Sequence, residues 1–207
     1  MKSIALLLFF LPALLCAQDN TALLNKSIQV DMGTGLHGSG DLAGLTLNTS
    51  YTHYFRKKVS YTLEIGTSIH YGSSTLYYTD NFGKNIDGSI RFTTAGIQLA
   101  GKIGLSVFRN KKNDLGLRLG PLVRYQSSSI PDSITAIFPA AGTGFDVPIT
   151  FISNENPQNT LALGGAFQLF YNYSISNKIY IGPSAGFQID SNGDTITNIS
   201  LACGMKF

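Results

Sequence analysis

Val59-Ser60-Tyr61-Thr62-Leu63-Glu64-Ile65-Gly66-Thr67-Ser68-Ile69-His70-Tyr71-Gly72 alternates without a break. Val, Tyr, Leu, Ile, Thr, Ile and Tyr occupy one set of positions; Ser, Thr, Glu, Gly, Ser, His and Gly occupy the other. A period of two is that of an extended strand, whose successive side chains point to opposite faces. The contrast between the faces decides what kind of strand it is. In a soluble sandwich or lipocalin, large apolar groups line the inside and charge coats the outside. Here the hydrophilic face is built mostly of small side chains, which suit the crowded axis of a narrow barrel. The bulky face is left to turn outward, and an outward apolar wall belongs in lipid.

The same pattern recurs along the chain. Alternating segments cover residues 28–33, 45–55, 59–72, 95–107, 115–126, 161–175, 179–190 and 198–207, the first of them short and weakly patterned. Each of the longer ones is enough to cross the hydrocarbon at a tilt. Short polar connections fall at 56–58, 110–114 and 176–178; the alternate connections fall at 35–41, 73–89, 127–159 and 191–194, and two of these are long. Outer-membrane barrels place short turns on the periplasmic side and longer loops outside. The expected fold is all-β: an eight-stranded antiparallel up-and-down transmembrane β-barrel, with strand one rising from the periplasm. Pro121 and Pro183 each follow a Gly inside a strand pattern. Proline removes a ladder hydrogen bond, so a bulge or kink is expected at Gly120-Pro121 and Gly182-Pro183.

Composition agrees with this reading. Charged residues make up 13% of the chain and the net charge is +3, with 22 Gly, 13 Phe and 10 Tyr. The charge content is about half that of a soluble domain, and a near-neutral balance offers no basic stripe for nucleic acid. Lys2 followed by the apolar run 4–15 reads as a secretory signal, too short to span a membrane as a helix. Cleavage is expected near Ala17, giving a signal peptide at 1–17 and one barrel domain at 18–207. Cys16 stands where a lipidated cysteine could stand, but Leu15 before it departs from that pattern. Without Cys16, Cys203 has no partner for an internal disulfide and reads as a small apolar side chain.

The last strand, Ile199-x-Leu201-x-Cys203-x-Met205-x-Phe207, resembles the terminal strand of bacterial outer-membrane proteins. With the signal segment and the strand pattern, the chain from about Ser27 onward resembles the small outer-membrane β-barrel family of the OmpA-barrel and OmpX type. The resemblance implies a Gram-negative outer membrane as location, its lipid as surroundings, and Phe207 as the recognition signal for the barrel assembly machinery. No subfamily signature is present, so no functional residue is carried over from it.

The inward faces hold few charges: Asp31, Glu64, Lys102, Arg118, Arg124, Asp190 and Lys206. Unpaired charges in a narrow lumen are costly, so pairing across it is expected, with Glu64 meeting Lys102 or Arg118. The same groups could instead form a small or gated pore. Some eight-stranded barrels are lipid A-modifying enzymes that use Ser, His and an acid near the outer leaflet, and Ser68, His70, His37 and Asp41 are the residues to weigh for that. His37 and Asp41 are expected in the first loop, His70 as a rim histidine, and His53 facing lipid. No local catalytic motif, metal-ligand spacing or cofactor motif stands out. The connection 127–159 carries much apolar material, including Ile134, Ile137, Phe138, Phe145, Val147, Ile149, Phe151 and Ile152. Three readings are open: a hairpin protruding above the membrane, a cover over the mouth, or an adhesive surface for a partner. Tyr77, Tyr78 and Phe82 of the second loop could pack with it. The leading expectation is a non-enzymatic outer-membrane barrel with a structural or surface-interaction role.

Overall fold

The computed structural model describes residues 23–38, 42–74, 77–79, 83–87, 89–129, 136–138, 149–151 and 158–207. The signal-like segment with Cys16, Asp41, Phe82 and most of the apolar third connection lie outside the described residues. The strands are β1 (Lys26–His37), β2 (Leu42–Tyr54), β3 (Val59–Ser74), β4 (Tyr77–Thr79), β5 (Asn85–Asp87), β6 (Ile90–Arg109), β7 (Asn113–Ser128), β8 (Ala136–Phe138), β9 (Ile149–Phe151), β10 (Gln158–Ser174), β11 (Ile179–Asp190) and β12 (Thr195–Lys206). Eight of them close into one antiparallel barrel in the order β1-β12-β11-β10-β7-β6-β3-β2; β4 with β5, and β8 with β9, form separate two-stranded ladders. The closing seam runs from Ser27 opposite Lys206 to His37 opposite Ile196. It ends where the Lys26 N–H donates to the Phe207 carbonyl at 3.1 Å and the Phe207 N–H donates back at 2.9 Å. Closure leaves no unpaired sheet edge, a condition for any strand structure that faces lipid.

The bulky face points outward. Leu63 is 56% exposed while its neighbour Glu64 is 2% exposed. Leu47, Leu99 and Leu169 are likewise exposed, and Leu117 is half-buried. The interior is not filled by small residues alone: Tyr54, Leu122, Phe170, Tyr180 and Ile196 are buried there. Short turns are held locally. Asn110 Oδ1 accepts from the Lys112 N–H at 2.9 Å and the Asn113 N–H at 2.6 Å. Ser176 Oγ accepts from the Ile179 N–H at 3.0 Å. These are the local side-chain bonds that Asn and Ser supply at turns.

Three expectations are corrected. The first strand is longer than its pattern suggested, because Thr34, Gly35, Leu36 and His37 continue the alternation up to Gly38, whose φ of 72° ends it. The prolines make no bulge. Around Pro121 the β6–β7 ladder lapses between Ala100–Leu122 and Ile103–Leu119, then resumes in the same register. Around Pro183 the β10–β11 ladder lapses between Phe170–Ser184 and Tyr173–Ile181, again without a shift. Each proline lacks its N–H on one side only, and the opposite ladder continues unbroken through Gly165–Pro121 and Pro183–Leu201. The register shift lies instead between Ser106 and Phe108, where Ser106 faces Gly116 and Phe108 faces Leu115.

Candidate functional site: the barrel lumen and its two mouths

Inward side chains form a layered polar interior. Within β3 and β6, Lys102 Nζ donates to both carboxylate oxygens of Glu64, each at 2.7 Å. Thr62 stands opposite Lys102 in the ladder, so the lysine leans two pairs along to reach Glu64. Asp31 of β1 accepts from Gln29 Nε2 at 2.7 and 2.8 Å and from Ser184 Oγ at 3.4 Å. Arg118 of β7 lies over the Phe170 ring at 4.2 Å and donates to Gln168 Oε1 at 3.3 Å. It makes no ion pair within 4.0 Å among the described residues, so its charge is met by a ring face and an amide.

At the loop end, Arg124 Nη1 donates to Asp190 Oδ2 at 2.8 Å, and its Nη2 donates to Gln188 Oε1. Asp190 also accepts from the Asn192 N–H at 3.0 Å and the Asp194 N–H at 3.3 Å, which ties the β11–β12 turn to the lumen. His37 does not lie in a loop: it is the last residue of β1 and is buried, its Nε2 3.1 Å from Gln126 Oε1 on β7. Nor is His70 a rim residue. It is fully buried, its ring 5.2 Å from that of His37, and neither ring nitrogen finds a hydrogen-bond partner among the described residues. Ser68 therefore does not bond to His70. His53 faces outward and meets the Tyr61 ring edge-on at 5.3 Å.

The turn end holds a cluster that the sequence pattern did not single out. Asp114 accepts from Tyr54 Oη at 2.6 Å and Ser106 Oγ at 2.7 Å and pairs with Arg109 Nε at 3.7 Å. The Arg109 guanidinium lies 3.5 Å over the Tyr54 ring and donates to the Lys57 and Leu24 carbonyls at 3.0 and 2.7 Å. Lys206 Nζ donates to Ser174 Oγ at 2.6 Å, and Tyr180 Oη donates to Gln29 Oε1 at 3.0 Å. Parity carried past Gly116 places Asp114 inward, so it could have been found. Arg109 could not: simple alternation from Ser106 puts it outward, and the bulge at Val107 turns it in.

Several of these bonds cross the lumen between strands that are not neighbours, such as Tyr54 to Asp114 and His37 to Gln126. Between Tyr54, Arg118 and Tyr180 the space left is a void of about 10 Å³, less than one water needs in comfort. A cleft of about 400 Å³ opens at the turn end beside Leu23, Leu24, Lys111 and Lys178. The arrangement can brace the barrel and seal its axis.

No family model matches the chain, and no curated protein matches it. Among solved structures it is similar to Ail, the attachment invasion locus protein of Yersinia pestis, with a TM-score of 0.53 and 9% identity over 90% of this chain and 100% of that one. A second structure of Ail, in complex with the heparin analogue sucrose octasulfate, aligns with a TM-score of 0.54 and 10% identity, over 90% and 100%. Neisserial surface protein A aligns with a TM-score of 0.52 and 10% identity, covering 88% of this chain and 97% of that one. The outer membrane protein OprG of Pseudomonas aeruginosa aligns with a TM-score of 0.50 and 12% identity, over 89% and 96%. At such identities the likeness is one of fold, and the fold is that of the small outer-membrane β-barrels.

Proposed function

From a barrel of outer-membrane type with an apolar outer wall, we propose that this protein is an integral outer-membrane protein with a structural or surface-interaction role and no catalysis. One observation carries the reading: the lumen is braced by side-chain bonds from wall to wall, and the space between Tyr54, Arg118 and Tyr180 is only about 10 Å³. The bracing favours a structural part over transport, and we assign the meeting of a partner to the long connections at one end. The names of two fold neighbours, an attachment invasion protein and a surface protein, are in keeping with this. Against the enzyme reading, His70 has no serine or acid within hydrogen-bond reach among the described residues, and His37 is bonded to Gln126 with Asp194 at 3.7 Å, whereas a nucleophile–base pair needs direct contact. The lumen charges Asp31, Glu64, Lys102, Arg118, Arg124, Asp190 and Lys206 act in this proposal as a packing network, and Phe207 as the assembly signal.

The test is deletion of residues 133–152, in the 127–159 connection, in cells displaying the protein. The barrel is expected to remain folded and heat-resistant on unboiled gels, while binding of the cells to host-cell or matrix surfaces is lost. Unchanged binding would remove the surface-interaction role from this loop.

A further inference from the structure

Among the described residues, the exposed charged side chains at the end of the barrel bearing the short turns are all cationic. Arg56, Lys57 and Lys58 link β2 to β3, Lys111 and Lys112 link β6 to β7, and Lys178 links β10 to β11; all six are exposed. Lys26, also exposed, adds a cation at the β1–β12 seam. Given the strand order, these positions follow one another around the whole rim. Among the described residues at this end no acidic side chain is exposed, since Asp114 is buried against Arg109. In sequence, by contrast, Asp41, Asp80, Asp132, Asp146 and Glu155 fall in the connections of the other end.

An aromatic girdle lies just inside this rim. Tyr51 stands 6.4 Å from Tyr61 and 6.4 Å from Phe207 between ring centroids. Phe55 and Tyr173 are exposed on the same outer wall. Such rings settle at the membrane–water boundary, with the ring body in hydrocarbon and any polar tip in the headgroup layer. The cations begin where the girdle stops, Arg56 directly after Phe55. Lys58 Nζ donates to the Val107 carbonyl at 3.1 Å in an exposed bond, which holds its ammonium at the rim.

We infer that this rim binds the phosphate groups of anionic phospholipids in the leaflet it faces. The inference rests on the membrane-barrel reading above. A ring of ammonium groups at headgroup depth, spread around the circumference and not gathered in a pocket, fits many small phosphate heads better than one soluble polyanion. Each cation at a membrane surface favours anionic lipid by about fivefold, so the rim as a whole selects strongly even when screening weakens it.

The purified protein is refolded into phosphatidylcholine vesicles and into vesicles containing phosphatidylglycerol, and spin-labelled lipids report which species the barrel immobilises. Phosphatidylglycerol is expected to be favoured several-fold over phosphatidylcholine at low salt, with the preference falling as salt is raised. The combined variant Lys57→Gln, Lys58→Gln, Lys111→Gln, Lys112→Gln should lower the ratio markedly, with Lys26, Arg56 and Lys178 keeping the remainder, while Arg91→Gln at the other end leaves it unchanged. Equal immobilisation of the two lipids, a preference insensitive to salt, or one that the four substitutions leave undiminished overturns the inference and leaves the membrane reading standing. Failure of the unaltered protein to insert into either vesicle overturns both.

Discussion

Glu64 and Lys102 bury opposite charges against each other at 2.7 Å with almost no access to solvent. Removing one partner of such a pair leaves the other uncompensated, so Glu64→Ala is expected to cost about 3–5 kcal/mol. Urea unfolding in detergent micelles reads this as a lower midpoint, and Glu64→Leu with Lys102→Met should recover most of the loss. Single-channel current should stay flat in Glu64→Ala; a new conducting state would revive the gated-pore reading. Two glycines make a sharper comparison. A Cβ at Gly182 would run into the Tyr171 carbonyl oxygen, whereas one at Gly165 meets nothing within 4 Å. Gly182→Ala should therefore lose the heat-resistant folded band while Gly165→Ala keeps it. At this scale the sequence tells which way a side chain points but not what it meets. Parity sends Glu64 inward and leaves it Lys102 or Arg118; the register of β3 on β6 brings Lys102, while Arg118 goes to Phe170 and Gln168.

The element whose behaviour parity misreads is β6. The extra residue at Val107 reverses the alternation for the last turnward positions, and this carries Arg109 into the lumen to meet Asp114 and Tyr54. Deleting Val107 should close the bulge: Ser106, Phe108 and Arg109 then alternate regularly with Arg109 still inward, so the deletion should refold in vesicles as Val107→Ala does. If the deletion fails to refold while the substitution succeeds, the extra residue does more than set the facing of Arg109. The proline strands teach the opposite lesson. A bulge or local kink was the expected remedy for Pro121 and Pro183; there is no bulge, and each strand drops two pairs on one side and keeps its register. The preceding Gly120 and Gly182 press their backbones against the neighbouring strand so closely that a Cβ would meet Gly101 and Tyr171 carbonyls. Sequence shows the Gly-Pro pair but not which of the two remedies the sheet adopts.

For the molecule as a whole, strand number, pairing order and the side on which the long connections fall were legible because a membrane barrel repeats one simple rule along its length. Strand 59–72 states that rule alone, and the other segments repeat it with small lapses. The polar bracing inside was legible only as a set of inward charges, because its bonds join strands far apart in sequence, as Tyr54 to Asp114 or His37 to Gln126. The same architecture predicts that a charge set into the outer wall is costly at mid-depth: Leu169→Arg should lose about 2–4 kcal/mol of folding stability in bilayers. The account stands or falls on the outward turn of the bulky face. With Cys203 replaced by Ser, single spin labels at successive positions from 60 to 70 in lipid bilayers report oxygen access, which is high in hydrocarbon. Labels at 61, 63, 65, 67 and 69 should show high oxygen access and those at 60, 62, 64, 66, 68 and 70 low access; the reverse alternation, or none, would contradict the membrane barrel.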